Sequence, residues 1–298
     1  MKVLNIKKIL VPVDFSLTSL KALDQAVFMA KKNNAEVTLL HVVDYFMPHS
    51  DIYYFTIPRS AEYEEAVLKE CDNQLRKLAE KIQKTEFVTI HAETVNGKPR
   101  EQIIEAADRM KADMIVMGTH GVSGFREFMI GSTAIRIISE ASCPVLSIQQ
   151  SVEPGFKKIL VPFRNRPHSR EKVDYAIEMA EMYGAKLHIL GVDAELSDET
   201  HSKLALQAEQ IKTIAENHHL KCDTRVIAGS FLAEDILNYA KSIEADLILV
   251  MSDLDKMSVS DFIMGPYAQQ IVNHSHIPIL SIHPTFNTKT TNLAGYGW

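Results

Sequence analysis

The chain has 298 residues, which at about 150 residues per domain divides into two cores. Hydrophobic residues make up 46% and charged residues 23%, the balance of a packed globular chain, so disordered, collagen-like and mucin-like classes are excluded. Lys and Arg number 32 against 38 Asp and Glu, a formal net charge of −6. No basic footprint for duplex nucleic acid is expected, and small molecules and proteins are the expected partners.

Three cysteines, Cys71, Cys143 and Cys222, are too few and too widely spaced for a disulfide framework and fit a reducing compartment. The basic opening Met1 to Lys8 leads into an apolar run, Ile9 to Val13, that is too short for a signal-peptide core. No run of about eighteen apolar residues follows elsewhere. The expectation is a cytoplasmic protein with no membrane partner.

Taken in chain order, Ile9 to Val13 is a continuous apolar run, as in a parallel strand buried on both faces. Leu20, Leu23, Ala26, Val27 and Ala30 follow at helical spacing, with Ser16, Thr18 or Ser19 as candidate caps. Val37 to Val43 is a second strand. Residues 45–58 contain Pro48 and Pro58 and keep no period, which predicts a loop. Its aromatic side chains suit cover for a local hydrophobic patch, the commoner use of large rings, or a lid or contact surface. Next come a charged helix over Glu62 to Lys84 and a third strand near Phe87 to Thr94. Ile103, Ile104, Ala107 and Met110 form the inner face of another helix. Met114 to Met117 is a fourth strand, Phe128 to Glu140 a helix and Val145 to Ile148 a fifth strand. Strands separated by helices need crossover connections, which gives a doubly wound α/β fold with helices on both faces of a parallel sheet.

This series is read twice. Lys7-Lys8-Ile9-Leu10-Val11-Pro12 recurs as Lys157-Lys158-Ile159-Leu160-Val161-Pro162. Asp24, Ala26, Met29 and Ala30 recur as Asp174, Ala176, Met179 and Ala180, and residues 39–42 answer to residues 189–192. Cys143 to Ile148 matches Ile277 to Ile282 at a smaller offset, so the second copy is shorter, mostly after its second strand. The predicted domains are 1–150 and 156–284, joined by a linker from Gln149 to Gly155 and followed by a polar tail, 285–298.

After the fourth strand of the first copy stands Gly118-Thr119-His120-Gly121, then nine residues, then Gly131-Ser132-Thr133 opening a helix. The arrangement reads as a phosphate cradle. Gly118 and Gly121 let the backbone turn and approach a ligand, while Gly131 and Ser132 set amides and a hydroxyl at a helix N-terminus that favours an anion. Glycines alone are a weak signal, because tight turns use them routinely. Position strengthens it, since ligands of open parallel sheets sit at the carboxyl ends of strands near the topological switch point. Asp14 ends the first strand at that place. Its oxygens suit a ribose hydroxyl, an adenine amino group, or the capping of the helix that begins near Ser16.

With these motifs the sequence resembles a tandem universal stress protein, with only the linker, the aromatic loop and the tail outside the pattern. Gly118, Gly121, Gly131 and Ser132 satisfy the spacing of the family's nucleotide-binding members. The resemblance implies that Pro12, Val13 and Asp14 line the adenine and ribose side, that Val42 lies against the base, and that Thr133 adds a phosphate contact. It implies two tandem, five-stranded, Rossmann-like domains of the adenine nucleotide alpha hydrolase-like type, with strand order 3-2-1-4-5. The two copies would pair through their last strands within one chain, with or without further homodimerisation. The implied ligand is ATP, with or without magnesium, and the implied role is a nucleotide-dependent switch in stress response that acts on unknown protein partners.

The second copy departs from this pattern. Ser252 and Asp255 replace Gly118 and Gly121, Asp253 adds a second acid, and Arg164 stands in the place of Asp14. Pro266 replaces Ser132 and removes a hydroxyl and an amide donor, leaving only Gly265 of the motif. ATP is therefore expected in the first copy alone. No Walker Gly-Lys-Ser/Thr and no magnesium-binding carboxylate cluster is present, so no catalytic residue is assigned and at most slow hydrolysis is expected. Arg126, between the glycines, reads as a phosphate contact or as a solvated loop residue. Two alternatives stand beside the switch. One is a nucleotide-free interaction scaffold. The other is zinc binding in the second copy through His218, His219, Cys222, His274 and His276, whose spacings fall short of a complete ligand set.

Overall fold

The computed structural model describes residues 4–44, 60–119, 130–149, 153–164, 171–194, 197–251 and 266–283. The aromatic loop 45–58, Gly121, Arg126 and the tail 285–298 lie outside the described residues. The first half runs β1 (Lys8–Pro12), α1 (Leu17–Asn33), β2 (Glu36–Val43), α2 (Ala61–Glu86), β3 (Ile90–Asn96), α3 (Pro99–Met110), β4 (Met114–Gly118), α4 (Ser132–Glu140) and β5 (Val145–Ile148). The second runs β6 (Lys158–Phe163), α5 (Glu171–Tyr183), β7 (Lys186–Asp193), α6 (Asp198–Asn217), β8 (Cys222–Ala228), α7 (Leu232–Ser242), β9 (Leu247–Met251), α8 (Pro266–His274) and β10 (Ile279–Ile282).

These strands form one sheet in the order β3-β2-β1-β4-β5-β10-β9-β6-β7-β8. Each half has the order 3-2-1-4-5 that the resemblance implied. Neighbours within each half are parallel, and β5 meets β10 antiparallel with Leu146 opposite Leu280. Both joining strands are short, mostly apolar and buried. An unpaired edge of that composition would invite aggregation, so each half supplies the other's missing neighbour.

Side chains of each strand alternate between two cores, as period-2 geometry requires. Ile9 and Val11 face α1, α2, α5 and α6, whereas Leu10 and Ile115 face α3, α4, α7 and α8. Both layers cross the junction. On the first face Tyr183 stacks on Phe28 at 5.9 Å and meets Phe156 edge-on at 5.1 Å. The Leu4 amide donates to Glu178 Oε2 at 2.6 Å, and the Gly155 amide donates to Gln25 Oε1 at 3.0 Å. On the second face the Gln149 amide group donates to the Val272 carbonyl at 2.7 Å, and His283 Nε2 donates to the Ser139 carbonyl at 3.1 Å. The predicted linker thus begins as a buried anchor at Gln149.

Local differences from the periodicity have local causes. Of the three candidate caps, Ser16 caps α1 by accepting from the Ser19 amide at 3.2 Å. The third strand begins at Ile90 rather than Phe87, because Phe87 ends α2 in the left-handed region at φ 56° and points into solvent. Helix α4 begins at Ser132 rather than Phe128, since Gly131 is its N-cap in an extended conformation. Part of the length difference between the halves lies in helix rather than loop, α2 having 26 residues and α6 having 20.

His188 on β7 is buried, and neither of its ring nitrogens makes a hydrogen bond among the described residues. Burial holds its pKa below the ordinary imidazole value of about 6.5; Asp223 opposes that shift, and Lys186 and Lys158 reinforce it. Burial lowers His283 in the same way. An unfolded chain takes up these protons below about pH 6.5 while the folded chain refuses them, so stability falls on acidification through that range. Thermal unfolding followed from pH 7 to pH 5 should show a falling Tm, and His188→Leu should flatten that fall.

Candidate functional site

In the first half β1 leads to α1 on one face of the sheet and β4 leads to α4 on the other. The connections diverge at the carboxyl ends of β1 and β4, the switch point where a doubly wound sheet forms its ligand crevice. The two walls of this crevice are the β1–α1 turn and the N-terminus of α4.

The β1–α1 turn begins at Pro12, which is half-buried. Val13 follows with its amide donating to the Leu40 carbonyl at 2.9 Å and its carbonyl accepting from His41 Nδ1 at 2.7 Å. The Val13 side chain is buried in the core beneath α1, so only its main chain borders the crevice. Asp14 is half-exposed, and its Oδ1 accepts from the Ser16 amide at 3.0 Å. The acid thus shapes the turn and keeps Oδ2 without a hydrogen bond among the described residues. Phe15 sits at φ 63°, uncommon for a bulky residue, and its ring packs on His41 at 5.0 Å. Val42, on the next residue of β2, is half-buried and faces the α3/α4 side.

Gly118 has a reason of its own. A Cβ there would stand 2.7 Å from the Thr18 carbonyl carbon and 2.8 Å from the Ser19 nitrogen. The first turn of α1 lies directly against this residue, so helix packing by itself requires the glycine. Thr119 then buries its side chain and accepts the Gly131 amide at 3.1 Å. Gly131 is the opposite case. Its φ is −61°, and a Cβ would make only an ordinary contact, 3.4 Å from the Thr119 carbonyl oxygen. No part of the described protein requires a glycine there.

Helix α4 starts with no side-chain cap and no acid in its first turn. By contrast α2, α6 and α7 each begin with two acidic residues. The amides after Gly131, the exposed Ser132 hydroxyl and Thr133 therefore lie at a positive helix end that no described residue compensates, which suits an anion.

The second half shares an acid-free helix start, at α8, but lacks the other features where it is described. Phe163 takes the place of Val13 and pairs with Gly191, which takes the place of His41. Arg164 follows, and Pro266 opens α8 without an amide hydrogen. Ser252, Asp253, Asp255 and Gly265 lie outside the described residues. His218 engages Glu181 at 2.8 Å, and burial pushes the Cys222 thiol up to about 12. Among the described residues no three of His, Cys, Asp and Glu gather as a metal-ligand set, and no helix is long and apolar enough to cross a membrane.

His41 and Phe15 are the site residues that sequence reading missed. The repeat carried a signal, because His41 answers to Gly191 at an otherwise similar strand end.

Two doubly wound α/β units, the first with a glycine-marked end to its fourth strand, fused through their last strands, define the class of protein. The family model for the universal stress protein family matches residues 5–149 and again residues 155–283. The chain belongs to the universal stress protein family and is a tandem member of it. The universal stress protein MJ0531 of Methanocaldococcus jannaschii is 38% identical over 146 residues, covering 48% of this chain and 82% of its own length. YxiE of Bacillus subtilis is 36% identical over 150 residues, covering 48% of this chain and 98% of its own length. The crystal structure of a universal stress protein from Archaeoglobus fulgidus matches 95% of this chain and 98% of its own, with a TM-score of 0.74 at 19% identity, a likeness of fold.

The two glycines should separate on substitution. Gly118→Ala forces α1 away from β4 and should lower stability by about 2 kcal/mol or more, within the overpacking range. Gly131→Ala should cost less than about 1 kcal/mol, the scale of a changed N-cap. Urea unfolding of the two variants measures the difference.

Proposed function

We propose that the N-terminal half binds ATP in the β1/β4 crevice and that the chain acts as a nucleotide-dependent switch in stress response. The observation that carries this is the start of α4: free of acid, without a side-chain cap among the described residues, and preceded by a glycine that no described residue requires. The phosphates sit on the amides and hydroxyls of Ser132 and Thr133 beside Gly131, with Gly121 completing the motif in sequence. Asp14 takes a ribose hydroxyl through Oδ2, and Pro12, the Val13 main chain and Val42 border the base. Gly118 contributes by letting α1 close on β4. Magnesium, where present, arrives with the phosphates.

The C-terminal half does not take ATP in this way, because Arg164 replaces the acid and Pro266 removes an amide. It serves as the fixed partner of the first half across β5 and β10, with domains at 1–150 and 156–284. No catalytic group is assigned, since binding that favours ground state and transition state equally does not raise turnover. Signalling follows instead from a nucleotide that favours one arrangement of the crevice and so alters a surface met by a protein partner in the cytoplasm.

Native mass spectrometry and calorimetry test the asymmetry. One adenine nucleotide per chain is the expected stoichiometry. Two per chain would refute the inactive second site, and no binding at millimolar ATP would refute the first.

A further inference from the structure

We infer that His41 is the positioning residue of the crevice: it holds the β1–α1 turn so that Asp14 presents its free oxygen to the ribose. The inference rests on the ATP-binding reading of the site and names the group that prepares it.

The turn needs holding. Between the last ladder bond, from the Val13 amide to the Leu40 carbonyl, and the cap of α1 at Ser16, the chain passes through Phe15 at φ 63°. A left-handed aromatic residue is unfavourable on its own and persists where surrounding contacts impose it. His41 makes contacts on both sides of Asp14. Its Nδ1 stands 2.7 Å from the carbonyl oxygen of the preceding residue, Val13. A carbonyl only accepts, so Nδ1 carries the hydrogen. Its ring packs at 5.0 Å, tilted by 49°, against the ring of the following residue, Phe15. Asp14 is thereby fixed from before and after, and its Oδ1 is taken by the Ser16 amide at 3.0 Å. What remains to point outward is Oδ2. His41 also lies next to Val42 on β2, so a single strand end supports both the ribose side and the base side.

The second half is an internal control. Phe163 and Gly191 are direct cross-strand partners there, and a Cβ on Gly191 would stand 3.3 Å from Phe163 Cζ. The ring has moved from β2's counterpart to β1's counterpart. It fills the space, but it brings no donor for the carbonyl of residue 163. In the same half the acid has become Arg164. The tie and the group it would position are absent together, as expected if one exists for the other; a ring needed only for packing would not track the acid.

The test compares ATP with 2′,3′-dideoxy-ATP, which lacks the hydroxyls Asp14 would accept, by calorimetry on the full chain. Wild type should prefer ATP, and Asp14→Ala should erase that preference. His41→Phe keeps a ring but loses the donor; it should weaken ATP about tenfold and leave the dideoxy analogue nearly unchanged. His41→Asn places an amide donor where Nδ1 stands and should restore most of the preference. His41→Gln, whose donor stands one bond further out, should not. The Asn and Gln pair decides the matter even if the Phe variant does not fold. Equal losses for both nucleotides in every variant, or an unchanged preference in His41→Phe and His41→Gln, would overturn the inference while leaving ATP binding intact. A wild type that binds neither nucleotide overturns the site reading itself.

Discussion

The antiparallel pairing of β5 with β10 is the constraint on which the rest of the molecule depends. Each strand is four residues, three apolar and one a buried serine, with no neighbour of its own half on one side, and each is buried on both faces. Joined, they turn two sheets into one and carry the two hydrophobic layers across the junction. Polar contacts then fix the register at the rim. Gln149 and His283 satisfy carbonyls of the opposite half, and Gly155 finds Gln25. Removing polar partners from such buried positions costs more than the bonds themselves supply, because the orphaned group is left away from water.

That fusion allows the halves to differ. Two separate copies of this fold would each have to keep a sound edge and a sound site. A covalently joined second copy needs only to keep the edge. Its strand ends could therefore change, and the exchange of Val13 and His41 for Phe163 and Gly191 replaces a hydrogen-bonding ring on one strand by an apolar ring on its neighbour. The sheet and both cores survive it without a gap at Gly191, whose neighbours stand at close contact distance.

Much of this was legible in the residues. Buried parallel strands read as continuous apolar runs, and those runs placed β1, β2, β4 and β5 to within a residue or two. The repeat at positions 7–12 and 157–162 pointed to two copies, and the glycine spacing pointed to the end of β4. Errors gathered where a local cap overrode the period. Phe87 ends α2 in a left-handed turn and delays β3, and Gly131 delays α4. Hydrophobic periodicity carries no record of such dihedral choices. Gln149 looks like linker in sequence because it opens the polar run Gln149-Gln150-Ser151 that leads to Pro154 and Gly155, and its carbonyl partner on α8 shows only in the fold.

By itself the sequence determined the alternation of strands and helices, the duplication, the surviving glycines of the first half and their loss in the second. These are properties of neighbours along the chain, and period and spacing express them directly. Tertiary structure alone decided why particular residues stand where they do. Gly118 is glycine because the backbone of Thr18 and Ser19 lies against it, while Gly131 has room for a side chain and carries none. The turn that carries Asp14 is tied at the preceding carbonyl, that of Val13, by a histidine from another strand. Both facts depend on contacts between segments remote in sequence, and such contacts exist only once the sheet has brought β1, β2 and β4 side by side.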